Sequence, residues 1–200
     1  MMAGRRALRR IQLGRESTAG TLVAATTIWR GKGTINDTRT QERVQQDVGI
    51  IGGTDEVNQT MLGGGLSITQ TPATFEQFLH ILEMSVKTAT PAQDGAGTDY
   101  IYTYALPTTS GNTIKTYTVE GGDDTGEEEM GYCFVKDWTL SGSGRTAWSL
   151  AANIQGREVT PSTFTGALSL PAVNYMNFGL STVYIDAVGG TYGSTIKSST

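Results

Sequence analysis

Two hundred residues with 38% hydrophobic side chains, 17% charged side chains and 26 glycines describe one large domain or two small ones, of many short strands and turns and long enough to bury a core. The single cysteine, Cys133, excludes an internal disulfide; the single histidine, His80, leaves no second soft ligand for a zinc site; and no apolar run exceeds four residues, which excludes a membrane-spanning helix. The net charge of −4 hides a gradient: residues 1–43 carry nine Lys/Arg against three acids (9 − 3, about +6), and residues 44–200 carry six against sixteen (6 − 16, about −10).

The chain opens as a basic arm over residues 1–15, with Arg5, Arg6, Arg9, Arg10 and Arg15. It lacks the apolar segment of a signal peptide, so a soluble, non-secreted chain is expected and the sequons at Asn36 and Asn58 carry little weight. Weak strands are read over Ala7–Leu13 and Leu22–Trp29, with "LGRESTAGT" as the turn between them. Residues 31–60 form no convincing element. They read as a long polar loop or arm in which Val44, Val48, Ile50 and Ile51 give something apolar to dock. A further weak strand covers Leu66–Gln70.

One segment, about residues 72–87, is read as a helix. "TPATFEQFLHILEMSVK" offers Thr71 as N-cap, Pro72 at the first helical position and Glu76 near the positive end of the dipole. Phe75, Phe78, Leu79, Leu82 and Val86 fall on one apolar stripe, with His80 and Met84 on the other side.

Nearly everything after it alternates with period two. "YIYTYAL" places Tyr100, Tyr102, Tyr104 and Leu106 on one face, and "NTIKTYTVE" follows "PTTSG" as its hairpin partner. "EGGDDTGEEE" packs Glu120, Asp123, Asp124, Glu127, Glu128 and Glu129 into ten positions, a solvated loop unless the charge faces a partner. In "YCFVKDWTLSGSGRTAWSLAANI", Tyr132, Phe134, Trp138 and Leu140 share a face, as do Trp148, Leu150, Ala152 and Ile154. A three-residue turn, Gly142-Ser143-Gly144, pairs Trp138 with Trp148 and puts both sets on one side. Weak strands follow at Gly166–Leu170 and Met176–Asp186, the latter with an apolar phase switch between Leu180 and Val183 that implies a bend.

The motifs of reactive chemistry do not assemble. "GKGT" at Gly31–Thr34 has the ending of a phosphate loop, but Thr27 stands where the earlier glycine belongs. Gly14 and Gly20 are six apart, with Glu16 placed to repel phosphate; both read as turn glycines. His80 reads as a surface histidine with no nucleophile to activate, Asp123 and Asp124 lack an environment that would split their pKa values, and the acidic stretch lacks the ligand spacing of a calcium loop. Cys133 reads as small core filler. No enzyme, metal or cofactor is expected.

The opening stretch carries a resemblance. "LGRESTAGTLVAATTIWRGKGTINDTRTQERVQQDVG" resembles the N-terminal signature of the tail tube (major tail) proteins of long-tailed bacteriophages. The matching residues are Gly14, Arg15, Glu16, Ser17, Gly20, Thr21, Thr26, Thr27, Asp47, Val48 and Gly49. The order that follows is similar too: "GGGLSITQTPATFEQFLHILEM", a strand into one helix, then "WSLAANIQGREVTPSTFTGAL". The likeness covers most of the chain as a loose pattern. "GSTIKSST" ends as though entering another strand, and related chains often continue further, so truncation at Thr200 is left open.

The resemblance implies a β-sandwich or barrel-like sheet flanked by one helix, in a single tail-tube domain over 1–200. It implies hexameric rings stacked into a virion tail tube through which DNA passes without specific binding. The partners it implies are further copies of the chain and tape-measure, tail-terminator and baseplate proteins, with no membrane. Residues 31–60 would bridge successive rings. The N-terminal arginines and the acids of 120–129 would face each other, or acids of the next copy, across a salt-sensitive subunit contact. The bore would be acidic or small and polar, with the 100–106/112–120 hairpin as one candidate lining. A capsid-decoration or spike-like β module, and an enzyme or carbohydrate-binding module, stay open as alternatives.

Overall fold

The structure, a computed structural model, describes residues 8–49, 51, 54–104, 109–181, 183–184 and 196–198 (backbone alone at 54–55, 183–184 and 196–198). It is mainly β with one helix. In chain order the strands are β1 (Arg10–Arg15), β2 (Thr27–Ile28), β3 (Gly33–Asp37), β4 (Thr40–Gln46), β5 (Thr54–Met61) and β6 (Gly64–Pro72). After α1 (Phe75–Ser85) come β7 (Ala92–Gln93), β8 (Tyr100–Ile101), β9 (Tyr117–Gly122), β10 (Glu127–Ser141), β11 (Ser149–Gly156), β12 (Val159–Pro161), β13 (Val183–Tyr184) and β14 (Ile196–Ser198).

One eight-stranded sheet runs β2-β1-β9-β10-β11-β6-β3, with β12 beside β10. Its pivot is the 15-residue β10. The first half of β10 pairs with β9 and β12, the second half with β11, and bulges at Met130/Cys133 and Val135/Asp137 turn the strand between the two. A strand that changes partners through bulges is how a sheet turns a corner and folds over on itself. Ile11, Leu13, Tyr117, Val119 and Met130 from one half thereby meet Leu66, Ile68, Leu150, Ala152 and Ile154 from the other in a single core. Each such fully buried aliphatic side chain contributes roughly 2 kcal/mol. Gly121 lets the far edge close: a side chain there would strike Ile35 of β3 at 2.7 Å.

The helix forms where its apolar content leads one to expect it, but it starts later and is turned. Thr71 and Pro72 still belong to β6, paired with Leu150 and Ser149, so the cap falls to Thr74, whose hydroxyl accepts from the Gln77 N–H at 3.4 Å. The core-facing positions are Gln77, Ile81 and Met84, not the expected stripe; Phe75 is exposed, and Phe78 meets Trp138 edge-on with ring centroids 5.2 Å apart. Gln77 decides this rotation. Its amide donates to Ile28 O and accepts from Arg30 N–H, each at 3.1 Å, satisfying the backbone of the short strand β2.

Other expectations are corrected. Trp138 stands opposite Ala152, not Trp148, with Leu140 opposite Leu150. Trp148 is instead drawn away, its backbone N–H donating to Met176 O at 2.8 Å while its carbonyl takes the Ala73 N–H at 2.7 Å. Residues 142–148 therefore form a long connection in place of a three-residue turn. The bulges also change which side of β10 is covered: Met130, Cys133 and Val135 are buried, while Tyr132 and Trp138 are exposed. The stretch after "PTTSG" does not pair with 100–106; β9 lies between β1 and β10, and Tyr100–Ile101 pairs with Ala92–Gln93. Leu106 lies outside the described residues, as do Ala7 and part of Met176–Asp186. Leu22–Trp29 is strand only at Thr27–Ile28, and Gly166–Leu170 is no strand. The switch near Leu180 coincides with a 3-10 turn, Phe178–Leu180, before β13, which pairs with β14.

Candidate assembly interface

Residues 31–60 are ordered strand rather than an open loop. β3 continues into β4 and β5 into β6 as one long antiparallel hairpin, bent at Thr38–Arg39 and Leu62–Gly63, where Thr38 N–H donates to Gly63 O at 3.0 Å. The β3–β6 part belongs to the main sheet. The β4–β5 part extends beyond it for seven residues, roughly 20 Å, as a separate two-stranded ribbon. Every described side chain on this ribbon is exposed, including Val44 at 39%, Val57 at 53% and Met61 at 51%. Val48 and Ile51, in the turn region, are exposed as well; Ile50 lies outside the described residues. An isolated two-stranded hairpin is marginally stable in water, so this ribbon lacks the packed face that would hold it.

The basic start and the acidic stretch meet within one chain. Antiparallel pairing of β1 with β9 sets Arg10 opposite Gly122, and Arg9 and Arg10 line a shallow surface groove with Asp123, Asp124 and Glu127. Arg10 lays its guanidinium over the Phe164 ring at 4.3 Å. Arg5 and Arg6 lie outside the described residues. The acids are not one solvated loop. Only Asp123–Gly126 is turn; Asp123 accepts from the Thr125 N–H and hydroxyl, which hold its carboxyl below the ordinary range. Glu127, Glu128 and Glu129 begin β10, and Glu127 accepts from Phe164 N–H at 3.1 Å.

Glu120 is buried, contrary to its place among the expected surface acids. Its carboxylate accepts from Thr165 N–H at 2.7 Å, Thr165 Oγ1 at 2.6 Å and Ala25 N–H at 3.3 Å, pinning two loops to β9. Glu16 is buried in the same manner. It accepts from Gly20 N–H at 2.6 Å, Thr116 Oγ1 at 2.6 Å, Thr118 Oγ1 at 3.2 Å and Tyr132 N–H at 2.8 Å. The turn after β1 is therefore built around a carboxylate. Gly20, at φ +81°, supplies its left-handed corner, while Gly14 sits within β1 rather than in the turn. Tyr132 is held at φ +57° in the first bulge of β10, where its ring stands out beside Arg157 at 5.3 Å.

Arg15 leaves the acidic stretch altogether and pairs with Glu83 of α1 at 2.7 Å. Glu83 also accepts from Tyr117 Oη at 2.5 Å and Thr88 Oγ1 at 3.0 Å. Because Tyr117 donates to Glu83, its oxygen accepts from His80 Nδ1 at 3.1 Å, which fixes the Nδ1–H tautomer. Burial would raise the Glu83 pKa, but hydrogen bonds from Tyr117, Arg15 and Thr88 outweigh it and keep the carboxyl below its ordinary range. Burial also pushes the Tyr117 phenol up and the His80 imidazole down, the latter opposed by Glu83. His80 is thus half-buried and bonded, not a free surface histidine. The chain of groups borders a cavity of about 490 Å³ lined also by Tyr102, Tyr104 and Pro91. A neutral imidazole, a phenol held protonated and a carboxylate neutralised by arginine make a lock between α1, β1 and β9.

Sequence reasoning found the arm and the charge blocks but missed Glu16, Thr116, Thr118 and the His80–Tyr117–Glu83–Arg15 set. The one signal for Glu16 was an acid between a strand and a glycine turn, and its four donors come from residues 20, 116, 118 and 132. Cys133 is buried, its thiol pushed up by burial, in keeping with its reading as core filler. No protein-family model and no curated protein matches this chain.

Proposed function

We propose that this chain is a structural subunit that works by binding copies of itself, as the wall of a phage tail tube that conducts DNA. What carries the reading is the β4–β5 ribbon: a paired arm with exposed Val44, Val57 and Met61 and no packed face of its own. A protein gains by keeping such a ribbon only if something else covers it. The outer edges of β2 and β3, unpaired among the described residues at the two ends of the sheet, support the same reading, because ring closure is a way to remove sheet edges. Tape-measure, terminator and baseplate proteins are the further partners this role entails, with the virion tail as its place.

Negative-stain microscopy of the purified full chain tests the proposal: tubes or stacked rings are expected. Solitary particles across the whole accessible concentration range sink it, and discrete trimers would favour a decoration or spike-like module.

A further inference from the structure

We propose that the Glu42–Val44–Glu56 face of the ribbon seats in the Arg9–Arg10–Lys32 groove of a second copy of this chain. The inference rests on the self-assembly reading and names the surface that receives the arm. Directly opposed residues in an antiparallel ladder share a face, as do residues two apart along a strand. Val44 stands opposite Glu56, and Glu42 stands opposite Asn58, so both carboxylates flank Val44 on one side. The bond from Gln46 Nε2 to Glu56 at 2.6 Å agrees with that assignment, and Arg43, opposite Val57, is on the other side.

The complementary surface is a groove of about 480 Å³ at the start of β3, lined by Arg9, Arg10, Lys32 and the small residues Gly31, Gly33 and Thr34. No carboxylate lines it among the described residues, Arg9 and Arg10 reaching the acids Asp123, Asp124, Glu127 and Glu128 only on their far side, and it runs along a sheet edge whose other side pairs with β6. Beneath it Gly31 packs on Trp29, whose buried Nε1 has no acceptor among the described residues.

The ribbon does not seat in the groove of its own chain: its described side chains are all exposed and none lines the groove. The groove sits at the Gly33 end of β3, whereas the ribbon leaves from the Asp37 end, beyond the bend at Thr38–Arg39. Arm and receptor at opposite ends of one strand line make a head-to-tail contact, which builds an open-ended stack rather than a closed pair.

The test is a charge exchange on the full chain, read by sedimentation velocity at low salt, with thermal melting as the folding control. Arg9→Glu with Lys32→Glu, and separately Glu42→Lys with Glu56→Lys, should each cut the assembled fraction about tenfold or more while the melting temperature holds. Arg10 is left alone because of its stacking on Phe164. Mixing the two reversed proteins, or combining all four changes in one chain, should restore assembly. Assembly that survives both reversals but is lost on removing residues 41–60 overturns the groove and leaves the self-assembly reading standing. A wild-type chain that never assembles overturns both. Loss of binding to a short DNA duplex on reversing the groove, with assembly intact, makes it a polyanion site and also sinks the proposal.

Discussion

The core of the folded-over sheet and the β4–β5 ribbon are built from the same backbone ladder, yet their side chains meet opposite fates. In the core, even acids are satisfied inside the chain: Glu16 has four donors and Glu120 three. On the ribbon, even valines stand in water. The buried carboxylates are completed by their own chain, and removing either leaves its donors stranded. The ribbon's interactions within the chain are little more than its own backbone bonds, so changes there should be silent in the stability of the single chain.

The largest break in that contrast is expected at Glu16. Glu16→Ala strands two backbone N–H groups and two threonine hydroxyls in a buried place, a cost of about 4 kcal/mol or more, read as a loss in denaturant midpoint. Next come paired truncations of aliphatic residues. Leu150→Ala should cost about 3 kcal/mol through the cavity it leaves, whereas Val57→Ala on the ribbon should stay within about 0.5 kcal/mol by the same measurement. An equal cost at Val57 would mean that the ribbon is packed by its own chain.

The smallest effect is a pH dependence confined to the core side. The folded-state pKa of His80 is depressed, so the unfolded chain takes up a proton first, and stability falls as pH drops below the ordinary value of 6.5. Glu83 is depressed too; its contribution is present above 4.5 and is lost as pH falls further. Melting temperature should therefore decline in two stages on acidification, and His80→Gln should remove only the upper one. A profile unchanged by His80→Gln would show that the imidazole is not coupled to folding.

How far the sequence could be read follows from where the deciding information lay. The facing of Trp138, Leu140, Leu150 and Ala152 was legible because period two sets a face whichever even register is chosen. The register itself was not, since residues 146–148 are held by Ala73, Met176 and Phe178, far away in the chain. The helix was legible from its apolar spacing, but Thr71 and Thr74 both make good caps, and pairing of β6 with β11 chose between them. The ribbon was illegible as strand because both of its faces are polar, so no alternation marks it. The expectation that it docks on something rested on Val44, Val48, Ile50 and Ile51.

One consequence of β10 concerns how the molecule comes apart. The same 15 residues pair with β9 and β12 up to Cys133 and with β11 from Phe134 onward, so one strand holds both halves of the sheet. Neither half keeps its hydrogen-bonded neighbour if the other melts, so the body opens all at once, like a hinge pin withdrawn from both leaves. The ribbon, hung outside that pin, is free to fray and re-form while the body stays shut.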